Sequence, residues 1–405
     1  MKRLEFDQVV WLLDQRFDFL IPWFEKEYNI FRKDFLFVGS YHGNTRKGLK
    51  KVTVGDLPGG HVSYLEPEDI NKLYAHRITS NKRTLLIAFS GAYLPSADYV
   101  TSFIATGNIA TDINNKWWQY EFFCKTGIKT PKTWWAENHC QLLHLSQVLF
   151  SQYESLLIKK AELAGGYKMK IVSSAEDVYD YCGRQKEDFL NSEFLISEYI
   201  PHKQSFSGMA IIDRDGNTIW CGATEQVLYN DLAYEGLIWP PYIDDKGLCD
   251  IKNITLKVGK GLAEYGYFGY YNVDFIQGPD EMYAVEINAR FCFSTIFYAC
   301  CCGDKFWRAV QGKEIHESWP DRRLIMGKIK AKEGKSYCKL ADQSNILEWF
   351  NSGIGGFQSY FVGTDEPEYY DYGSFIGLFG ELLTKDTNRD DALRLFWDRC
   401  LQQYR

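Results

Sequence analysis

The sequence predicts a mixed α/β chain with α+β character: a parallel-sheet unit at the N-terminus, a hairpin-rich centre and a C-terminal α/β extension. Three observations lead there. Two apolar runs that end in small residues, Leu36–Ser40 and Thr84–Ser90, have the look of parallel strands opening into loops. Turn signals at Asp215-Gly216 and Gly278-Pro279-Asp280 each separate two strand-like runs. Helix-start signals at Asn114-Asn115 and Ser173-Ser174 are interspersed with those strands. A length of 405 residues suggests two or three domains, and an apolar fraction of 45% can fill their cores.

Residues 1–110 read as the N-terminal α/β domain. Its loop-rich stretch around Gly43, Gly55, Gly59 and Gly60 holds no Gly-x-Gly-x-x-Gly after a strand, so a nicotinamide dinucleotide site is not supported. The character changes near residue 111. A helix is expected over Trp117–Cys124, closed by Thr126-Gly127, then an extended exit over Ile128–Pro131. A helix near 141–153, a strand Leu156–Lys160, a loop Ala161–Gly166, a strand Lys168–Val172 and a helix from Ser174 follow. Next are strands Phe194–Ile200, Phe206–Asp213 and Asn217–Gln226, then Tyr234–Pro241, whose Trp-Pro-Pro segment reads as a rigid packed loop. A helix near 253–265, a hairpin over 272–290 and an apolar helix near 294–311 complete this region. Residues 313–405 form the extension, ending in an amphipathic helix over Asp390–Tyr404.

The net charge of −7 argues against a nucleic-acid partner, whose footprint would be basic. No run of about eighteen apolar residues occurs, so no membrane span is expected. Met1–Asp7 carries no apolar signal core, and 11 Cys without an export signal suit reduced thiols, so a cytoplasmic location is expected. Consecutive Cys300, Cys301 and Cys302 cannot all face one ion, and no Cys-x-x-Cys pair completes a zinc site. They read as buried thiols.

The chemistry concentrates in the last hairpin. Glu286, Asn288 and Arg290 alternate with Val285, Ile287 and Ala289, so the polar set faces one way and the apolar set packs. Asp274 on the neighbouring strand joins the polar set in a suitable register. Two carboxylates and an amide oxygen suit a hard cation such as Mg²⁺. Arg290 suits a phosphate or a developing negative charge. The hairpin reads equally as a solvated face. Lys159 ends an apolar strand and Gly165-Gly166 follow in one loop, where a lysine and close-approaching backbone N–H groups can hold phosphate oxygens. A plain β-turn with a surface lysine fits these residues too. The run Phe194–Ile200 stops at Pro201 and leaves backbone groups that can read an adenine edge, with Tyr199 or Ile200 against the ring. It also reads as an ordinary edge strand.

The order of these pieces is more specific than any one of them. Asn115-Lys116 before a helix, Gly127-Ile128-Lys129-Thr130-Pro131, Lys159, Gly165-Gly166, Ser197–Ile200, Asp274 and Glu286-x-Asn288-x-Arg290 together resemble the ATP-grasp superfamily over about residues 111–312. That superfamily includes D-alanine–D-alanine ligase, biotin carboxylase and the L-amino acid ligases. The resemblance implies an ATP-grasp fold, with a smaller lobe at about 130–200, in which Lys116 and Lys159 contact ATP phosphates under a loop carrying Gly165 and Gly166. Glu198, Tyr199 and Ile200 would form the adenine hinge. Asp274, Glu286 and Asn288 would hold one or two Mg²⁺ ions, with Mn²⁺ able to substitute. Arg290 would steady the transferring phosphoryl group. Lys160 departs from the usual proline. Gln204-Ser205 replace the usual acidic ribose contact, leaving Ser205 for a ribose hydroxyl. The bulky run Phe291–Ser294 after Arg290 suggests a narrow acceptor pocket.

The implied activity is an ATP-dependent carboxylate–amine ligase, joining an amino acid carboxylate to an amine through an acyl-phosphate. In similar amino acid ligases the region around Glu235 and Trp239 borders the acceptor site, where Glu235 would hold a substrate ammonium and Trp239 would flank a side chain. The partners implied are small carboxylates and amines, and homodimers are common among similar ligases. The rival readings are carboxylation or phosphorylation of a small metabolite, and a silent nucleotide-binding regulator.

Overall fold

The computed structural model describes residues 8–12, 35–38, 61–63, 84–88, 100–102, 104–161, 169–184, 192–290, 292, 294, 322–330, 356–361 and 375–402. The loop glycines Gly165 and Gly166, the helix expected near 294–311 and the triple cysteine lie outside them. Five strands, β1 (Gln8–Leu12), β2 (Phe35–Val38), β3 (His61–Ser63), β4 (Thr84–Ala88) and β5 (Val100–Ser102), form a sheet of order β3-β2-β1-β4-β5. Every pairing in it is parallel, as the apolar runs ending in small residues predict.

The short helix α1 (Asn108–Ile113) leads to α2 (Lys116–Thr126). Asn115 caps α2 by accepting from the Trp117 and Trp118 N–H groups, and Gly127 ends it at φ 63°. The smaller lobe follows: β6 (Thr133–Ala136), α3 (His139–Leu149), β7 (Leu156–Lys160), β8 (Lys170–Val172), α4 (Ala175–Gly183) and β9 (Phe194–Glu198). Its sheet runs β6-β9-β7-β8 and is wholly antiparallel. Phe194–Glu198 is therefore an interior strand rather than an edge. Leu156, Ile158, Phe194 and Ile196 pack with Leu142, Leu149, Val178 and Tyr181 of the two helices. By alternation, Lys159 and Ser197 lie on the opposite face.

Among the described residues the main sheet has eight strands. It uses β10 (Ser205–Ile212), β11 (Thr218–Tyr229), β12 (Ala233–Trp239), then β13 (Gly269–Gln277) and β14 (Met282–Asn288) after the long helix α5 (Asp245–Glu264). The extension adds β15 (Arg322–Lys330), β16 (Gly356–Phe361), β17 (Phe375–Thr384) and the helix α6 (Arg389–Gln402). The order is β14-β13-β10-β11-β12-β15-β17-β16, all antiparallel, so the extension continues the central sheet.

One face of this sheet packs on α5. Ile251, Val258 and Leu262 recur at helical spacing and meet Phe206, Val273, Phe275 and Ile287. The approach is close: a Cβ on Gly208 would lie 2.2 Å from Thr255 Oγ1, and one on Gly259 would lie 2.2 Å from Tyr271 Oη. Capped by Asp244, α5 starts at Asp245, eight residues before the expected start of the helix near 253. Tyr234–Pro241 is not a loop; all but its last two residues belong to β12. Val285 is not in the core set either. A register shift between Asp274 and Phe275 pairs Asp274 with Glu286 and Phe275 with Ala284, leaving Val285 as a half-buried bulge. Ala284 takes its place inward.

Candidate active site

The opposite face of the sheet is polar. Asp274 pairs directly with Glu286, and Asn272 with Asn288, so four oxygen-bearing side chains share one face despite the bulge. Ser207 stands opposite Asp274 on β10. Its hydroxyl donates to Asp274 Oδ1 at 2.8 Å, and Asn288 Nδ2 donates to Asp274 Oδ2 at 2.7 Å. Asn272 Nδ2 donates to Ser207 Oγ at 3.1 Å and also to Ser294 Oγ. Asp274 is thus held in place from both strands.

Lys116 reaches this group from α2. Its Nζ lies 3.3 Å from Glu286 Oε1, and the lysine side chain is only 6% exposed. The helix is docked by Gln119, whose amide donates to Ile287 O at 2.7 Å and accepts from Ile287 N at 2.9 Å. Lys116, one turn earlier on the same helix face, is thereby set beside Glu286. Lys159 approaches from the smaller lobe. Burial and the charge of Lys116 lower its pKa to about 8, against an opposing pull from Glu286. Burial pushes Glu286 upward, but Lys116, Arg290 and Lys159 outweigh it and hold the carboxyl below its usual value. Burial and then Glu286 raise Asp274 to about 6, in spite of the Ser207 bond and Arg290. Arg290 also contacts Cys292 Sγ at 3.5 Å, and burial lifts that thiol to about 12.

So Lys116, Lys159, Asp274, Glu286, Asn288 and Arg290 converge between the two sheets. The donor chemistry fits a hard divalent cation: two carboxylates and an amide, all oxygen-bearing. Among the described residues no three His, Cys, Asp or Glu side chains form a metal cluster, so the amide is needed to complete the set.

The expected hinge residues lie at the rim. Glu198 ends β9 and its carboxylate accepts from Lys132 N at 2.8 Å, while Tyr199 N donates to Ser155 O at 3.1 Å. Tyr199 Oη donates to Asp231 at 3.2 Å, and Ile200 O contacts His202 Nδ1 at 2.9 Å. Ser205, opposite Gln226, is 4% exposed and its hydroxyl has no protein partner among the described residues. Glu235 is the residue skipped at the β11–β12 register shift and is 7% exposed. Trp239 pairs with Leu324 and is buried. Ser207, Asn272 and Gln119 were not legible as site residues. Period-two alternation is the signal that could have found the first two, while Gln119 had only its helical spacing from Lys116.

Residues 113–294 match the family model described as the ATP-grasp domain. A carbamoyl phosphate synthase arginine-specific large chain from Halalkalibacterium halodurans is 24% identical over 175 residues, 42% of this chain and 16% of that one. A [butirosin acyl-carrier protein]–L-glutamate ligase from Niallia circulans is 20% identical over 185 residues, 45% of this chain and 44% of that one. The match therefore spans less than half the length of either curated relative. The biotin carboxylase domain of 2-oxoglutarate carboxylase from Hydrogenobacter thermophilus, solved with MgADP, superposes with a TM-score of 0.68 at 13% identity, covering 94% of this chain and 87% of that one. Over residues 113–294 the family match and the strand order agree on an ATP-grasp domain.

Proposed function

We propose that this protein joins a carboxylate, that of an amino acid, to an amine through an acyl-phosphate, releasing ADP and phosphate. The observation that carries the reading is the meeting of Lys116 and Lys159, from different elements, with the Asp274–Glu286–Asn288 face. Phosphoryl transfer needs positioning and charge neutralisation rather than a protein nucleophile, and this cluster offers both. In this reading Lys116 and Lys159 hold the phosphates and Arg290 steadies the transferring group. Glu198, Tyr199 and Ile200 border the adenine, and Ser205 offers its hydroxyl to the ribose. Gly165 and Gly166 belong to a covering loop that keeps water from the acyl-phosphate. Asp274, Glu286 and Asn288 hold Mg²⁺, one or two ions, or Mn²⁺; the cation supplies further neutralisation of phosphate charge. Glu235 and Trp239 serve the acceptor side. The working division of the chain is 1–110, 111–312 and 313–405, in a cytoplasmic enzyme acting on small molecules as monomer or homodimer.

The choice of an amino acid as a ligation substrate is supported by the relative named as an acyl-carrier protein–L-glutamate ligase. The test is ADP and phosphate release from MgATP with amino acids offered singly and in pairs, followed by mass analysis. ADP formed only with one acid–amine pair, and a product mass equal to their sum less water, is the expected result. Release that requires bicarbonate in place of an organic acid would replace the ligase reading with a carboxylation.

A further inference from the structure

A buried carboxylate on the apolar face of the sheet has no part in the chemistry above. Glu225 is 0% exposed and stands between Phe206 and Ile238 on the neighbouring strands. An uncompensated charge there is strongly destabilising. Its partners are Arg389 Nε at 2.6 Å, Tyr242 N at 3.1 Å and Gln204 Nε2 at 3.5 Å. Arg389 is the first residue of α6, at the far end of the chain. Its NH2 group also donates to Lys203 O at 3.2 Å. Tyr242 is tied to the same region through Oη to Thr387 O at 2.7 Å, and the Arg323 guanidinium lies 3.9 Å from the centre of its ring. Gln204 Nε2 donates to Tyr242 O at 2.8 Å.

Two of these contacts, Arg389 to Lys203 O and Glu225 to Gln204 Nε2, reach one short stretch. Residues 199–204 connect β9 of the smaller sheet to β10 of the main sheet. The stretch begins with Tyr199 and Ile200 and leads directly into Ser205. At one end it is fixed by the Tyr199–Asp231 bond. At the other end a cation delivered from the C-terminal helix holds its backbone.

We propose that Arg389 is a positioning residue for the nucleotide: anchored on buried Glu225, it clamps the Lys203 carbonyl and so sets the connector that carries Tyr199, Ile200 and Ser205. The inference rests on the nucleotide reading of that connector. It gives the C-terminal extension a role in nucleotide binding exerted from behind the sheet, without touching the nucleotide.

The test compares the full-length wild type with Arg389→Ala, Arg389→Lys and the pair Glu225→Gln/Arg389→Ala. Three measurements are made: thermal midpoint, MgATP affinity by calorimetry, and amide hydrogen exchange over 199–204 without nucleotide. Arg389→Ala is expected to lower the midpoint, speed exchange in the connector and weaken MgATP by about tenfold, the scale of one charge-assisted hydrogen bond lost from a preorganised site. The double variant removes the buried charge, so its midpoint is expected to recover while exchange stays fast and MgATP binding stays weak. Arg389→Lys keeps a cation and is expected to recover affinity in part. If the double variant regains midpoint, slow exchange and affinity together, Arg389 merely offsets Glu225 and the proposal is overturned. Fast exchange in both alanine variants of a protein whose wild type binds no MgATP would support the clamp and sink the nucleotide reading instead.

Discussion

The two faces of the main sheet are built from the same strands by opposite means. Toward α5, Phe206, Val273, Phe275 and Ile287 are placed by shape, with glycines where helix and strand approach most closely. On the opposite face, Ser207, Asn272, Asp274 and Asn288 are placed by one another through hydrogen bonds, and Glu286 is held by Lys116. Neighbouring residues of one strand, Asp274 and Phe275, thus answer to different physics. A change on the first face should cost stability, and one on the second should cost function.

The largest effect expected is on the apolar face. Phe275→Ala should lose about 3–5 kcal/mol of stability in urea unfolding, because a fully buried ring leaves a cavity. A loss below about 1 kcal/mol would mean that the face repacks freely and would blur the distinction. Glu286→Gln should do the reverse. Its turnover should fall by about 10²–10³-fold, or roughly 3–4 kcal/mol in the barrier, while the folded state survives. Near-normal turnover would remove Glu286 from the site. Lys159→Ala should weaken MgATP by about 1.5–3 kcal/mol, the range for hydrogen bonds to charged groups, as read by calorimetry.

The smallest and most graded effect is in pH. The Asp274 carboxyl is raised to about 6, so the native state holds a proton that the unfolded chain has already released. Its contribution to stability therefore falls as pH rises from about 4 through about 6, and Asp274→Asn should remove that decline. The same proton competes with a cation, so Mg²⁺ binding should weaken about tenfold per unit below pH 6. Lys159, lowered to about 8, loses its charge on the other side. MgATP affinity should then peak between about pH 6 and pH 8, and a flat profile across that range would separate these two groups from binding.

The polar face was largely legible in sequence because alternation along Glu286-x-Asn288 is a local signal, and the opposing Asp274 needed only a hairpin turn. The cap at Asn115 was legible for the same local reason. The bulge at Val285 was not, since it depends on how β13 and β14 twist together. Strand β12 was hidden by Gly236 and the Trp-Pro-Pro run, which look like breakers. Gly236 is there for space: a Cβ would lie 2.2 Å from Met326 O and 2.5 Å from Phe396 Cε2. The Glu225–Arg389 pair spans 164 residues, and nothing near either residue announces the other.

Gln119 has a wider consequence than setting Lys116. Among the described residues strand β14 is the last of its sheet on that side, and such a strand ordinarily offers its free amides and carbonyls to any extended chain that drifts past. Here the glutamine side chain occupies the main-chain groups of Ile287 as a substitute strand would, and the Lys129 carbonyl takes the Ala284 amide at 2.9 Å. A second molecule cannot zip onto this border without first prying α2 away. The side chain that aligns the chemistry therefore also guards the sheet against self-association, and Gln119→Leu would trade both away at once.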